Sequence, residues 1–396
     1  MNYNNPIPAT LANIIKALCA LLFAAFAFLY IYQIQGYVLA EAQYVFSDGV
    51  TTYSLPGGAI IITILLLCLQ QAVARFSHIS GRWYALTYAP SFVVLAMLTS
   101  LHRQTILEFG FGQWMWVVPL FIVLYVMFVR AARRWLTDSI SSGDYSLGRY
   151  LWTNFLTLLL MMLACGANAP AKDVYLYELK AEQCLLNKDY EGASRVGQRS
   201  LQTSPRLNQL RLFALAKQGL LADNLFDYPQ PYADTSLILL NDTVSHESRF
   251  TALNIQDALG ARANHSVSSV GQYLELLRKN PHTSTNPLLP DYLLCHKLLS
   301  ADLRGFNHTI RHYYDVSNAE DVMKLPRAYR EALLLQAHAI SRDSLNSFAD
   351  TLMLAHYRQY QEIQTDETDS LHRANRLHRL FGNTLWWYLD YGVNTF

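Results

Sequence analysis

The spacing in this sequence most suited to a metal site belongs to two histidines, His308 and His312. Residues at i and i+4 share one face of a helix, so both imidazoles could reach one Zn²⁺. Between them stand Thr309, Ile310 and Arg311, with no glutamate to serve as a general base and no evident third ligand. A solvated helix face is the simpler reading, and no metal or other cofactor is expected. His372 and His378 are six apart and do not share a face. Acid chemistry could be carried by Glu41 and Asp48, the two acids of a stretch from Gln35 to Pro56 that contains no Lys or Arg. Two acids in a wet loop are ordinarily just solvated. The five cysteines form no CxxC pair. Cys19, Cys68 and Cys165 fall in or beside apolar runs, where cysteine behaves as a small hydrophobe. Cys184 and Cys295 could pair only if the fold brings them together. No GxSxG elbow, P-loop or helix-opening GxGxxG occurs, and Gly57-Gly58 simply begins an apolar run.

The elements that would position these groups fall into two kinds. Hydrophobic residues make up 52% of the chain and charged residues 15%, against ~25% charged in soluble domains. Up to Cys165 there are only eight Lys or Arg and five Asp or Glu; the remaining 23 of 31 basic and 25 of 30 acidic residues follow it. Crossing ~30 Å of hydrocarbon takes roughly 20 apolar residues. Five runs qualify or nearly do, at about 11–34, 57–73, 83–101, 114–129 and 150–165, flanked by Tyr30, Trp83, Trp114, Trp116, Tyr150 and Trp152 as an interfacial belt. The expected organisation is a transmembrane domain over 1–166, a linker over 167–172, and a soluble domain over 173–396. A net charge of +1, with neither half strongly biased, speaks against a nucleic-acid partner. The partners expected are a lipid bilayer and a protein or peptide.

Basic residues set the orientation. None lies between the first two runs; Arg75 and Arg82 separate the second from the third, and Arg130, Arg133, Arg134 and Arg149 the fourth from the fifth. That alternation puts Lys16 and the N-terminus in the cytoplasm, and five spans deliver the C-terminal domain outside, which is the periplasm if the membrane is a bacterial inner membrane. Ionisable groups are almost absent at mid-span, which disfavours a pump or coupled transporter.

The second half reads as all-α. Val270, Tyr273, Leu274 and Leu277 fall on one helical face, as do Leu207, Leu210, Ala214 and Leu221. Tyr329, Leu333, Ala337 and Ile340 predict a third stripe, and Leu377, Phe381, Leu385 and Tyr388 a fourth. Trp386, Trp387, Tyr388 and Tyr391 could form a carbohydrate or peptide platform, though packing as a solenoid cap is simpler. From Val174 to Arg206 the chain resembles a tetratricopeptide repeat, with Tyr177 at the aromatic position, Ala181 at the small one and Asp189-Tyr190 at the turn. Ala193 lies sixteen residues after Tyr177 and Pro205 twelve after Ala193, both at consensus spacing. Lys180, Cys184 and Gly197 depart from the pattern. The resemblance implies an α-solenoid whose stacked hairpins bind a protein or peptide.

Taken whole, including the phrase LPRAYREALLL from Leu325 to Leu335, the chain resembles multi-span membrane proteins of Bacteroides-like species with a helical-repeat tail. That resemblance implies no activity. An acid in the first outer loop is similar to the arrangement in membrane glycosyltransferases that use lipid-linked sugars, where it is catalytic; this would give Glu41 or Asp48 that role. The reading carried forward is a membrane-anchored scaffold or assembly factor, with the enzyme as the alternative.

Overall fold

Between Asn13 and Phe46 the chain holds no proline and one glycine, and its backbone stays helical throughout. The structure, a computed structural model, describes residues 9–47, 50–79, 81–99, 114–139, 147–167, 174–198, 200, 202–240, 249–264, 267–341, 345, 348–367 and 369–392. All its regular elements are helices, with no strand among the described residues. The chain divides into two compact units, Met1–Leu176 and Tyr177–Phe396.

In the first unit, α1 (Ala9–Leu29) passes through a π turn (Tyr30–Gln35) into α2 (Gly36–Phe46). The element therefore continues past position 34, where the apolar run weakens. A change in polarity is not a change in backbone, and nothing after Gln35 breaks the helix. Ser54 opens α3 (Leu55–Ser77) by accepting the Gly57 N–H at 3.4 Å, and His78 closes it in the left-handed region at φ 52°. A 3₁₀ segment (Gly81–Tyr88) leads into α4 (Ala89–Thr99), followed by α5 (Trp114–Ser139) and α6 (Leu147–Ala167). Among the described residues four helices are long and apolar enough to cross a membrane: Asn13–Phe46, Leu55–Ser77, Trp114–Ala131 and Tyr150–Ala167. The third expected span differs: Trp83–Thr99 is a shorter apolar helix, with α conformation only from Ala89, so that Pro90 falls in the first α turn, where its missing N–H is not needed.

This shorter segment is the centre of the unit. Tyr88, Phe92 and Leu95 pack against Phe23, Ala27 and Leu158, and Phe23 meets the Tyr88 and Phe92 rings at 5.0 Å each. A helix that breaks in a buried place leaves backbone groups needing partners. Asn154 on α6, fully buried, accepts the Ala85 N–H at 2.8 Å and donates to the Tyr150 carbonyl at 3.0 Å. The Tyr125 hydroxyl donates to the Leu86 carbonyl at 3.2 Å. Gln70 donates to Tyr84 Oη at 3.0 Å and Thr87 Oγ1 at 2.9 Å.

The second unit takes up most of α7 (Val174–Leu186) and then α8 (Tyr190–Arg195), α9 (Pro205–Gln218), α10 (Ala252–Leu259), α11 (Val270–Lys279), α12 (Leu289–Leu299), α13 (Leu303–Tyr313), α14 (Ala319–Lys324), α15 (Arg327–Ile340), α16 (Thr351–Asp366), α17 (Ser370–Phe381) and the single turn α18 (Leu385–Trp387). The stripe on α11 is buried as its periodicity expects, whereas α9 is buried all round from Arg206 to Ala216 and ends at Gln218, so that Leu221, though buried, lies beyond it after the left-handed Gly219. Two others are corrected. On α15 the buried face is Ala328, Tyr329, Ala332 and Leu334, while Ile340 is 68% exposed, because the helix emerges from the core in its last turn. Leu377, Phe381, Leu385 and Tyr388 are all buried but do not share one helix: α17 stops at Phe381, and Thr384 caps a new turn.

Asn154→Leu fills the volume of the asparagine but removes the acceptor for Ala85. Full-length protein carrying it, purified in detergent, should lose about 1–3 kcal/mol of stability, read as a lower thermal unfolding midpoint; an unchanged midpoint would show that Ala85 has another acceptor.

Candidate functional site

The hairpin of α7 and α8 turns at Lys188, whose φ is 59°, and at Asp189, whose carboxylate accepts the Gly192 N–H at 2.8 Å. Ala181 and Ala193 are fully buried. Tyr190 opens α8, and its carbonyl accepts from Gln218 at 2.9 Å. Pro205 is the first residue of α9, after Ser204, which caps Leu207 at 3.0 Å. Tyr177, on α7, lies against Gly197.

The second helix of the hairpin is short for a physical reason. Gly197 has φ 66°, and a Cβ there would run into the Arg211 guanidinium. Arg211 reaches over from α9 and donates to the Val196 carbonyl from Nε at 2.8 Å and Nη2 at 2.6 Å. Its guanidinium lies 4.2 Å from the Tyr228 ring centre, and the Tyr228 hydroxyl donates to the Ser194 carbonyl at 2.6 Å. Burial pulls the Arg211 pKa down to about 10, which leaves it charged at neutral pH. Where the repeat pattern expects phenylalanine, this chain substitutes a left-handed glycine and a buried arginine.

These ties form the wall of an open groove of about 770 Å³, bounded by α8, α9, the segment 220–228 and Asn383. Its lining includes four amide side chains, Gln198, Gln218, Asn224 and Asn383, beside an exposed Arg195–Glu191 pair at 2.7 Å. Asp227, whose carboxyl burial raises above the usual range, accepts from Asn224 at 2.6 Å. Amide side chains both donate and accept, as peptide main chain does. In this groove Gln218 and Asn224 spend their amide N–H groups on Tyr190 and Asp227 and keep their carbonyl oxygens as acceptors, beside Gln198, Asn383 and the charged Glu191, Arg195 and Asp227.

A second cavity, of about 540 Å³, is lined by Arg327, Arg330, Glu331, Asp350, His356 and Trp386 among others. Its charges are matched. Glu331, 1% exposed, accepts from Arg327 Nε at 2.8 Å and from the Leu385 N–H at 2.7 Å. Arg330 pairs with Asp350, which also caps Met353 at 3.0 Å. Burial pushes the Glu331 carboxyl up to about 7, against the opposing pull of Arg327. Both Glu331 oxygens are engaged by protein donors, an arrangement that ties α15 to α18 rather than presenting a base to a substrate.

The other candidates are not brought into one site. Glu41 is 3% exposed on α2, on a helix rather than in the expected loop, and Asp48 lies outside the described residues. His308 and His312 stand with ring centres 5.0 Å apart on the exposed face of α13, and among the described residues no third metal-ligating side chain joins them. Cys184 and Cys295 are both free thiols. Trp386 is buried with Tyr357, Tyr360 and Phe381, and Tyr388 donates to the Leu299 carbonyl at 2.8 Å. Arg211 and Glu331 escape a reading by periodicity, although one signal was present: an arginine set among leucines in RLNQLRLFALA, where every residue from Arg206 to Ala216 is buried.

Residues 251–392, which include the second cavity and all of α10 to α18, match a family of unknown function, DUF6057. No curated protein and no solved structure matches the chain.

Glu331 gives the second unit a pH signature. Its folded pKa, about 7, is raised from 4.5, so the folded state keeps the proton longer than the unfolded chain. Its contribution is full below about pH 4.5 and falls as pH rises through about 7, by on the order of 3 kcal/mol. Thermal midpoints of Glu331→Gln should therefore gain on the wild type between pH 5 and 8; parallel profiles would contradict the assignment.

Proposed function

We propose that this chain is a membrane-anchored scaffold or assembly factor whose helical second unit holds a protein or peptide partner on the α8–α9 groove. The observation that carries the anchor is α5. Only 6% of its apolar window is buried, and Trp116, Leu120, Val123, Leu124 and Met127 are all exposed. A helix apolar on all sides is stable in lipid and not in water. Pro119 inside it is of a kind tolerated in membrane helices.

Five crossings fit this reading better than four. Five 3₁₀ residues from Tyr84, past the kink at Trp83, rising ~2.0 Å each, and eleven α residues at ~1.5 Å reach ~26 Å, near the ~30 Å hydrocarbon core. Being central, this segment is shielded from lipid and can carry Gln70-bonded Tyr84 and Thr87. With the N-terminus in the cytoplasm, five crossings export the second unit, to the periplasm in a bacterial inner membrane. The tetratricopeptide-like spacing of Tyr177, Ala181, Tyr190, Ala193 and Pro205, together with the amide-lined groove, supports a peptide-binding role over a catalytic one. A catalytic Glu41 would need a substrate to reach a side chain that is almost wholly covered.

Photo-crosslinking probes at Gln198 and Asn224, in living cells, should capture one recurrent protein, and a probe at His308 on α13 should not. Glu41→Gln should leave that capture unchanged. Crosslinks only to lipid or glycan would overturn the scaffold, and loss of a lipid-linked transfer reaction in Glu41→Gln would put the enzyme in its place.

A further inference from the structure

Within the first unit, the start of α1, the end of α3 and the 3₁₀ segment line an open pocket of about 450 Å³, in the size range of small-ligand sites. Its lining holds three groups able to carry positive charge, Lys16, Arg75 and His78, with Gln71 and Tyr84 beside them and no carboxylate. Among the described residues none of the three has an ion-pair partner. Lys16 stands 5.4 Å from the centre of the Tyr84 ring, and Tyr84 is held in place by Gln70 at 3.0 Å. Arg75 and His78 lie where the carbonyl end of α3 favours cations. That effect does not account for Lys16, which arrives from a different helix and faces the same space.

We propose that this cavity binds an anionic phosphate group, that of an acidic phospholipid headgroup. The inference rests on the membrane reading above. Two successive antiparallel spans put the start of α1 and the end of α3 on the same side, so the cations gather at one leaflet, where a phosphodiester is the abundant anion. A lysine, an arginine and a histidine offer several N–H donors around one cavity, suited to the oxygens of one phosphate. Their convergence without an acid gives preference to a headgroup of net negative charge over a zwitterionic one. Free phosphate shares the chemistry but lacks acyl chains to hold it beside the apolar walls.

The test is native mass spectrometry of full-length protein in neutral detergent, with phosphatidylglycerol, phosphatidylcholine or inorganic phosphate added. One phosphatidylglycerol per chain should be retained in preference to phosphatidylcholine. Lys16→Gln with Arg75→Gln should weaken that retention about tenfold or more, with helix content by circular dichroism unchanged. Arg130→Gln, an exposed arginine outside the cavity, should leave it in place. Equal retention of both lipids by wild type and the double variant would overturn the headgroup site while the membrane reading stands. An inorganic-phosphate adduct lost in the double variant, without lipid preference, would overturn the lipid source. Protein that stays soluble and monomeric without detergent would overturn the membrane reading itself.

Discussion

Both units are organised by the requirement that a backbone group freed where a helix breaks in a buried place must find a partner. An unpaired buried N–H or C=O costs about 1–3 kcal/mol, as much as most single side-chain contacts return. In the first unit the 3₁₀ segment is met by Asn154 at Ala85 and by Tyr125 at Leu86. In the second, Arg211 takes the Val196 carbonyl, and Glu331 takes the Leu385 N–H. Glu182 accepts the Phe250 N–H at 2.8 Å, and Arg206 donates to the Phe250 carbonyl at 3.0 Å and to Glu182 at 3.2 Å. Each is a polar side chain from one helix ending the ladder of another segment.

That device explains why the buried charges are structural. Glu182, Arg206, Arg211 and Glu331 are nearly inaccessible, yet both carboxylates, Arg206 Nη2, and Nε and Nη2 of Arg211 are spent on backbone or on one another. Removing either partner of such a pair strands a charge in the interior, which is far costlier than losing an exposed pair. The groove beside α8 inherits its rigidity from the same ties, since Arg211, Tyr228 and Gln218 hold the wall that Ser194 and Tyr190 belong to. For the proposed peptide partner, a preformed wall would lower the ordering cost of binding.

Helical character was legible in the sequence wherever an apolar stripe ran without interruption, as at Val270 to Leu277, because period 3.6 is imposed by burying one face. It was illegible where structure depends on contacts distant in sequence. The turn before Leu385 interrupts a stripe whose members still reach one core, so spacing alone joined what Gly382, Asn383 and Thr384 separate. The continuation into α2 was hidden because the apolar run weakened before the helix ended. Nothing in the sequence singles out Asn154, one polar residue inside an apolar run, and only the 69-residue reach to Ala85 shows what it does. The groove itself was not legible, since Tyr190, Ala193 and Pro205 marked a repeat pattern and none of them lines it, while Gly197 read as a departure from the pattern rather than as space for Arg211.

Whether Trp83–Thr99 traverses the bilayer decides on which side the second unit stands, since four crossings return the chain to its starting side and five do not. A dual alkaline phosphatase–green fluorescent protein reporter fused after Phe396 reads this directly. Export of the helical unit predicts an active phosphatase and no fluorescence. A fluorescent, phosphatase-inactive fusion would mean four crossings and a cytoplasmic second unit, contradicting the account.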